Sequence, residues 1–115
     1  MTAARDPGTE RRDDDVTDKR FRFALALELA ETRSRCGLTQ TALADALGIS
    51  QGEVSRLERA VCAVSVERFV TWCAVCAPLE PHTSAHVLGR AQRAALRMPP
   101  TITTHRKARA WRDLE

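Results

Sequence analysis

Residues 48–59 read GISQGEVSRLER, and this stretch decides the fold. Gly48 supplies a left-handed corner, Ser50 is a good helix N-cap, and Glu53 stands three residues on, where a capping box places its acidic partner. Val54 and Leu57 then fall on one helical face, leaving Gln51, Gly52, Ser55, Arg56 and Arg59 for the other. The segment is therefore a sharp corner between two helices, the second with a polar and positively charged outer face.

Working back from that corner, Thr39 caps a short helix of about nine residues whose apolar face is Leu43, Ala44 and Leu47 and which Gly48 ends. Before it, Phe21, Leu25 and Leu29 recur every fourth place, so the spacing predicts a first helix from Phe21 to about Cys36, closed by Gly37. Forward of the corner, Ser65 opens a fourth helix, SVERFVTWCAVC (65–76), with Phe69, Val70, Trp72, Cys73 and Cys76 as its apolar load, stopped by Pro78 and Pro81. A fifth helix is expected over roughly His82–Met98, placing Val87, Leu88, Ala91, Ala95 and Met98 along one face. No internal repeat is apparent.

The chain has 115 residues, room for one domain with a modest core. With three Phe, two Trp and no Tyr, that core must be built of Ala, Leu and Val, which suits packed helices better than a sandwich of strands. The expected class is all-α, a compact five-helix domain over residues 19–98. Residues 1–18 carry no helical stripe and are expected to be a disordered leader. Residues 99–115, TITTHRKARAWRDLE after two prolines, are expected to be a mobile basic tail, with a backbone-tracking arm or a short docking helix as its functional alternatives.

The net charge of +3 is unevenly spread: residues 1–18 hold three basic and six acidic side chains, residues 81–115 seven and two. A positive C-terminal end is compatible with a polyanionic partner. No apolar run approaches a membrane span and no signal peptide is present, so no membrane partner and a cytoplasmic location are expected. Cys36, Cys62, Cys73 and Cys76 are then reduced thiols.

Two short helices joined by a tight turn, the second polar outside, is the arrangement that places a helix in the DNA major groove. The stretch GLTQTALADALGISQGEVSRLER, residues 37–59, resembles the Xre/Cro and phage-repressor family of helix-turn-helix regulators, and the likeness extends more weakly over residues 21–77. The resemblance implies a repressor-like domain that binds double-stranded DNA as a two-fold homodimer. It also implies that Gln40 grips a phosphate, that Gln51 and Arg56 read bases, and that Gly52 occupies a reading position with no side chain. Glutamine suits the N6/N7 edge of adenine and arginine the O6/N7 edge of guanine. Ser55 is expected as a lesser base contact and Arg59 as a second phosphate clamp. Arg33 and Glu58 match a family ion pair joining the first helix to the third.

The sequence departs from the family at AVCAV, residues 60–64, where a glycine and basic residues are usual; here Ala60 stands first and no base follows until Arg68. That loop, or the fifth helix, is a candidate surface for dimerisation or for a protein partner, as in an adaptor built on the same fold. Thr32 is polar where the family usually has an apolar residue.

Three other features have simpler readings. Cys73-Ala-Val-Cys76 with His82 and His86 is too tightly spaced for a zinc finger and falls on the buried face of the fourth helix, so the cysteines are read as core. His82 and His86 lack a third ligand and are read as surface residues, so neither a metal nor any other cofactor is expected. There is no phosphate-binding glycine loop, no nucleophile-base array and no carboxylate pair beyond residues 1–18, so no enzymatic site is expected.

Overall fold

The computed structural model describes the backbone of residues 7–115 and the side chains from Lys19 onward. Six helices follow one another, with no strand among the described residues: α1 (Pro7–Arg35), α2 (Gln40–Leu47), α3 (Gln51–Glu58), α4 (Val66–Cys76), α5 (Thr83–Arg97) and α6 (His105–Asp113). The all-α expectation holds, with one helix more than the five expected.

The first three helices end by the same device. After α1, α2 and α3, a residue in left-handed conformation bonds back into the last turn, and the next amide bonds one residue further back. In α1 these are Gly37 to Ser34 and Leu38 to Arg33; in α2, Gly48 to Asp45 and Ile49 to Ala44; in α3, Ala60 to Leu57 and Val61 to Arg56. Glycine is at home in this conformation, with φ of 78° at Gly37 and 71° at Gly48, whereas Ala60 holds φ 60° with a Cβ. The starts are equally explicit. Thr39, Ser50, Ser65 and Thr104 each accept a hydrogen bond through the side chain from the amide three residues on.

Trp72 is the centre of the core: it is fully buried, and its indole N–H donates to the Leu29 carbonyl at 3.2 Å. Around it lie Leu25 and Leu29 of α1, Leu43 and Ala44 of α2, Val54 and Leu57 of α3, Phe69, Cys73 and Cys76 of α4, and Val87 and Ala91 of α5. Cys73 and Cys76 are therefore packing residues, and all four cysteines are free thiols. Burial pushes the Cys73 thiol up to about 11 and the Cys76 thiol up to about 12, disfavouring the thiolate a metal would need.

Four expectations need correction. Val70 is exposed, because Phe69, Trp72, Cys73 and Cys76 already fill the inward stripe and Val70 falls beside it with Val66. Leu88, one step off the Val87–Ala91 stripe of α5, is likewise exposed and Ala95 is only half-buried. α1 begins at Pro7 rather than Phe21. A polar segment offers no stripe to detect, yet it can extend an existing helix without a new nucleation cost. The expected disordered leader, residues 1–18, thus overlaps the backbone of α1 from Pro7, while residues 1–6 and all side chains before Lys19 lie outside what is described.

The fourth correction is the tail. Residues 105–113 form α6, docked on α1 rather than mobile. Ala108 is fully buried, Ile102 and Trp111 pack against the core, and Arg112 meets Glu28 at 3.1 Å and Glu31 at 2.9 Å. Pro99 and Pro100 end α5 and turn the chain instead of releasing it.

Candidate nucleic-acid interface

The corner between α2 and α3 is rigid because both sides of it are buried. Leu43 and Val54 are 0% exposed and Ala44 is 1% exposed, so the two helices meet across a small residue with no room for slippage. Held this way, α3 turns Gln51, Arg56 and Arg59 to solvent, with Ser55 half-exposed between them.

A chain of side-chain hydrogen bonds ties that face to α1. Gln51 Nε2 donates to Gln40 Oε1 at 2.6 Å, and Gln40 Nε2 donates to Glu58 Oε1 at 3.0 Å. Arg33 grips the same carboxylate with two bonds, Nε to Oε2 at 2.6 Å and Nη2 to Oε1 at 3.1 Å, and spends Nη1 on the Leu38 carbonyl at 2.7 Å. The hydrogen bond to Glu58 raises the Arg33 pKa against the opposing effect of burial, so the guanidinium is charged at any working pH. Glu58 is 6% exposed and Arg33 18%, which makes this a half-buried pair whose job is orientation. Through it, the C-terminal end of α1, the start of α2 and both ends of α3 are fixed relative to one another.

Gly52 lies one turn before Arg56. A Cβ at position 52 would stand 3.5 Å from Arg56 Nη1, so the arginine head lies back over the space left by the missing side chain. Arg59 is held on its own helix, Nε reaching Ser55 Oγ at 3.2 Å and the Ser55 carbonyl at 3.3 Å. At the start of α3, Glu53 meets Arg68 of α4 at 3.7 Å in a largely solvent-accessible ion pair.

The residues picked out by sequence thus fall into one continuous patch: Gln40, Gln51, Ser55, Arg56 and Arg59 outside, Arg33 and Glu58 beneath. Sequence reasoning missed the α6 wall of this patch. A cleft of about 580 Å³ lies among α1, the end of α3 and α6, and its lining includes Gln40, Ser55, Arg59, His105 and Arg109. The signal was present as Thr104 before a helical spacing of Ala108 and Trp111, hidden in a segment dominated by charge.

The loop after α3 leaves Val61 58% exposed, and a smaller cleft of about 190 Å³ lies between that loop and α1, lined by Phe21, Leu25, Leu57, Cys62 and Val64 among others. The described residues contain no helix long and apolar enough to cross a membrane.

No curated protein and no solved structure matches the chain significantly. A family model described as a helix-turn-helix domain matches residues 24–80, which span the C-terminal part of α1 through α4 and so include the whole patch except its α6 wall. Over residues 24–80 the chain is similar to the helix-turn-helix domain family.

Proposed function

We propose that this protein is a sequence-specific DNA-binding transcriptional regulator, acting as a repressor, that docks α3 in the major groove as a two-fold homodimer. The observation that carries this reading is the Gln51–Gln40–Glu58–Arg33 chain of hydrogen bonds, which presents a polar, solvent-facing helix at a fixed angle to the rest of the domain. A merely structural helical hairpin has no need to preorganise side chains on its outer face. In this reading Gln51 and Arg56 contact base edges, Ser55 makes a lesser contact, and Gln40 and Arg59 hold phosphates. A regulator of this kind works in the cytoplasm, on the chromosome, and needs no cofactor or catalytic group.

The test is selection of bound sequences from a random duplex library, in parallel with the Arg56→Ala protein. Enrichment of a two-fold motif, with preference lost at one position per half-site in the variant, supports both the regulator and the role of Arg56. Absence of any motif at low and moderate salt rejects the reading. The second reading, a protein-interaction adaptor, is favoured by the exposed Val61 and the apolar cleft behind residues 60–64; it expects neither a motif nor a steep salt dependence.

A further inference from the structure

We propose that α6 adds a phosphate-contact site to the DNA-binding surface, in which Arg109, beside Arg59 and His105, holds a DNA backbone phosphate in the cleft between α1, α3 and α6. This rests on the DNA-binding reading above and extends it to residues outside the helix-turn-helix domain.

The cleft is continuous with the proposed interface, since Gln40, Ser55 and Arg59 line it together with His105 and Arg109. Its charges sort into spent and unspent. Arg33 is committed to Glu58, and Arg112 to Glu28 and Glu31. Arg59 and Arg109, among the described residues, meet no carboxylate within ion-pair distance. His105 sits near both: their positive charges, together with burial, lower its pKa, and its Nε2 is buried without a hydrogen-bond partner. Arg59 and Arg109, neither held by a carboxylate among the described residues, line a roomy cleft together with His105 and make it a site of positive potential. A phosphate oxygen pairs with the arginines, and His105 Nε2 donates to it once the imidazole is protonated, a form that a bound anion favours. Among the cleft residues, Asp113 is the carboxylate that meets no cation among the described residues, and it opposes an anion.

The location answers a deficit in the sequence. The loop after α3 has no basic residue between Arg59 and Arg68, so the phosphate contacts that a basic loop would make on this side of the recognition helix are missing. α6 places Arg109 on the lining of the same cleft as Arg59 at the end of α3.

The experiment measures affinity of the full chain for its selected duplex and for a random duplex at a series of salt concentrations, comparing wild type with Arg109→Ala, Asp113→Asn and Arg56→Ala. Arg109 and Asp113 are exposed, and melting curves should be unchanged by either substitution. Loss of one phosphate contact lowers the slope of log affinity against log salt by about 0.9. Arg109→Ala should show that flattening and weaken both duplexes by the same factor, while Asp113→Asn should tighten both. Arg56→Ala should instead narrow the difference between the duplexes by weakening the selected one more than the random one. If Arg109→Ala leaves slope and affinity unchanged while wild type still prefers the selected duplex, the α6 site is overturned and the DNA-binding reading survives. If wild type binds no duplex with a salt dependence, both fall.

Discussion

Arg112, in the last turn of α6, reaches Glu28 in the middle of α1 at 3.1 Å. The same carboxylate takes Arg90 of α5 at 2.8 Å from its other oxygen, so one side chain that is 5% exposed anchors two helices at once. Both arginines keep partial access to water, which limits the cost of losing their partner. Glu28→Gln should therefore destabilise the protein by about 2 kcal/mol, less than a fully buried pair would cost. Arg112→Ala should cost less than that, and a urea-melting cycle of the two should show coupling of about 1 kcal/mol. Additive effects would mean that the Glu28 contact does not hold α6, leaving that role to Arg112–Glu31 and to the packing of Ala108 and Trp111.

Ala60 occupies the left-handed position that glycine fills at the ends of α1 and α2, with φ 60°. An L-residue there costs roughly 1–2 kcal/mol relative to glycine, part of which is returned by the greater freedom of glycine in the unfolded chain. Ala60→Gly should stabilise by about 1 kcal/mol and raise the melting temperature by a few degrees. Since the amides of Ala60 and Val61 both bond back into α3, its DNA affinity should be unchanged. A lower melting temperature would show that the Ala60 methyl contributes packing worth more than the strain.

These two sites mark where sequence reading succeeds and where it stops. Local chemistry announces itself: Thr39, Gly48, Ser50 and Ser65 are caps or corners by residue type, and each stands where its type requires. Stripes announce buried faces, as at Leu43, Ala44, Val54 and Leu57. What did not announce itself was pairing between distant charges. Nothing local to Glu28 says that it is buried, and nothing local to Arg112 says that it closes on a residue more than eighty positions earlier. Sequence alone therefore makes α6 a solvated basic end, and it places Val70 and Leu88 in the core because apolarity alone does not give the angle around a helix.

The lowered pKa of His105 gives stability a pH dependence. Burial acts first, then the charge of Arg109; the Glu58 backbone opposes them by accepting a hydrogen bond, and Arg59 adds to the lowering. Phe23 of α1 also packs its ring edge-on at 6.4 Å. The unfolded chain takes up a proton at the ordinary value of about 6.5, before the folded state does, so stability is full above that pH and falls as pH drops toward the lowered folded value. Thermal melts should be flat above pH 7 and decline through the range below 6.5, and His105→Gln should flatten that decline. An equal decline in the variant would show that His105 is not its source.

Arg33→Ala should weaken folding and DNA binding together. Removing the guanidinium leaves Glu58, 6% exposed, with only the Gln40 amide as a side-chain partner and withdraws the brace on the Leu38 carbonyl. Stranding a charge so placed costs on the order of 3 kcal/mol, which is a large part of the stability of a domain this size. The functional effect follows by a different route. An unpaired Glu58 competes for the Gln40 amide more strongly, and Gln40 in turn sets Gln51. The double variant Arg33→Ala with Glu58→Gln separates the two effects, because it removes the stranded charge while leaving a neutral partner for Gln40. It should recover most of the lost melting temperature but only part of the lost affinity, since the bidentate grip that fixes α1 to α3 is still absent. Full recovery of affinity would reduce the pair to a stabilising contact, and unchanged melting and affinity in Arg33→Ala alone would show that it orients nothing.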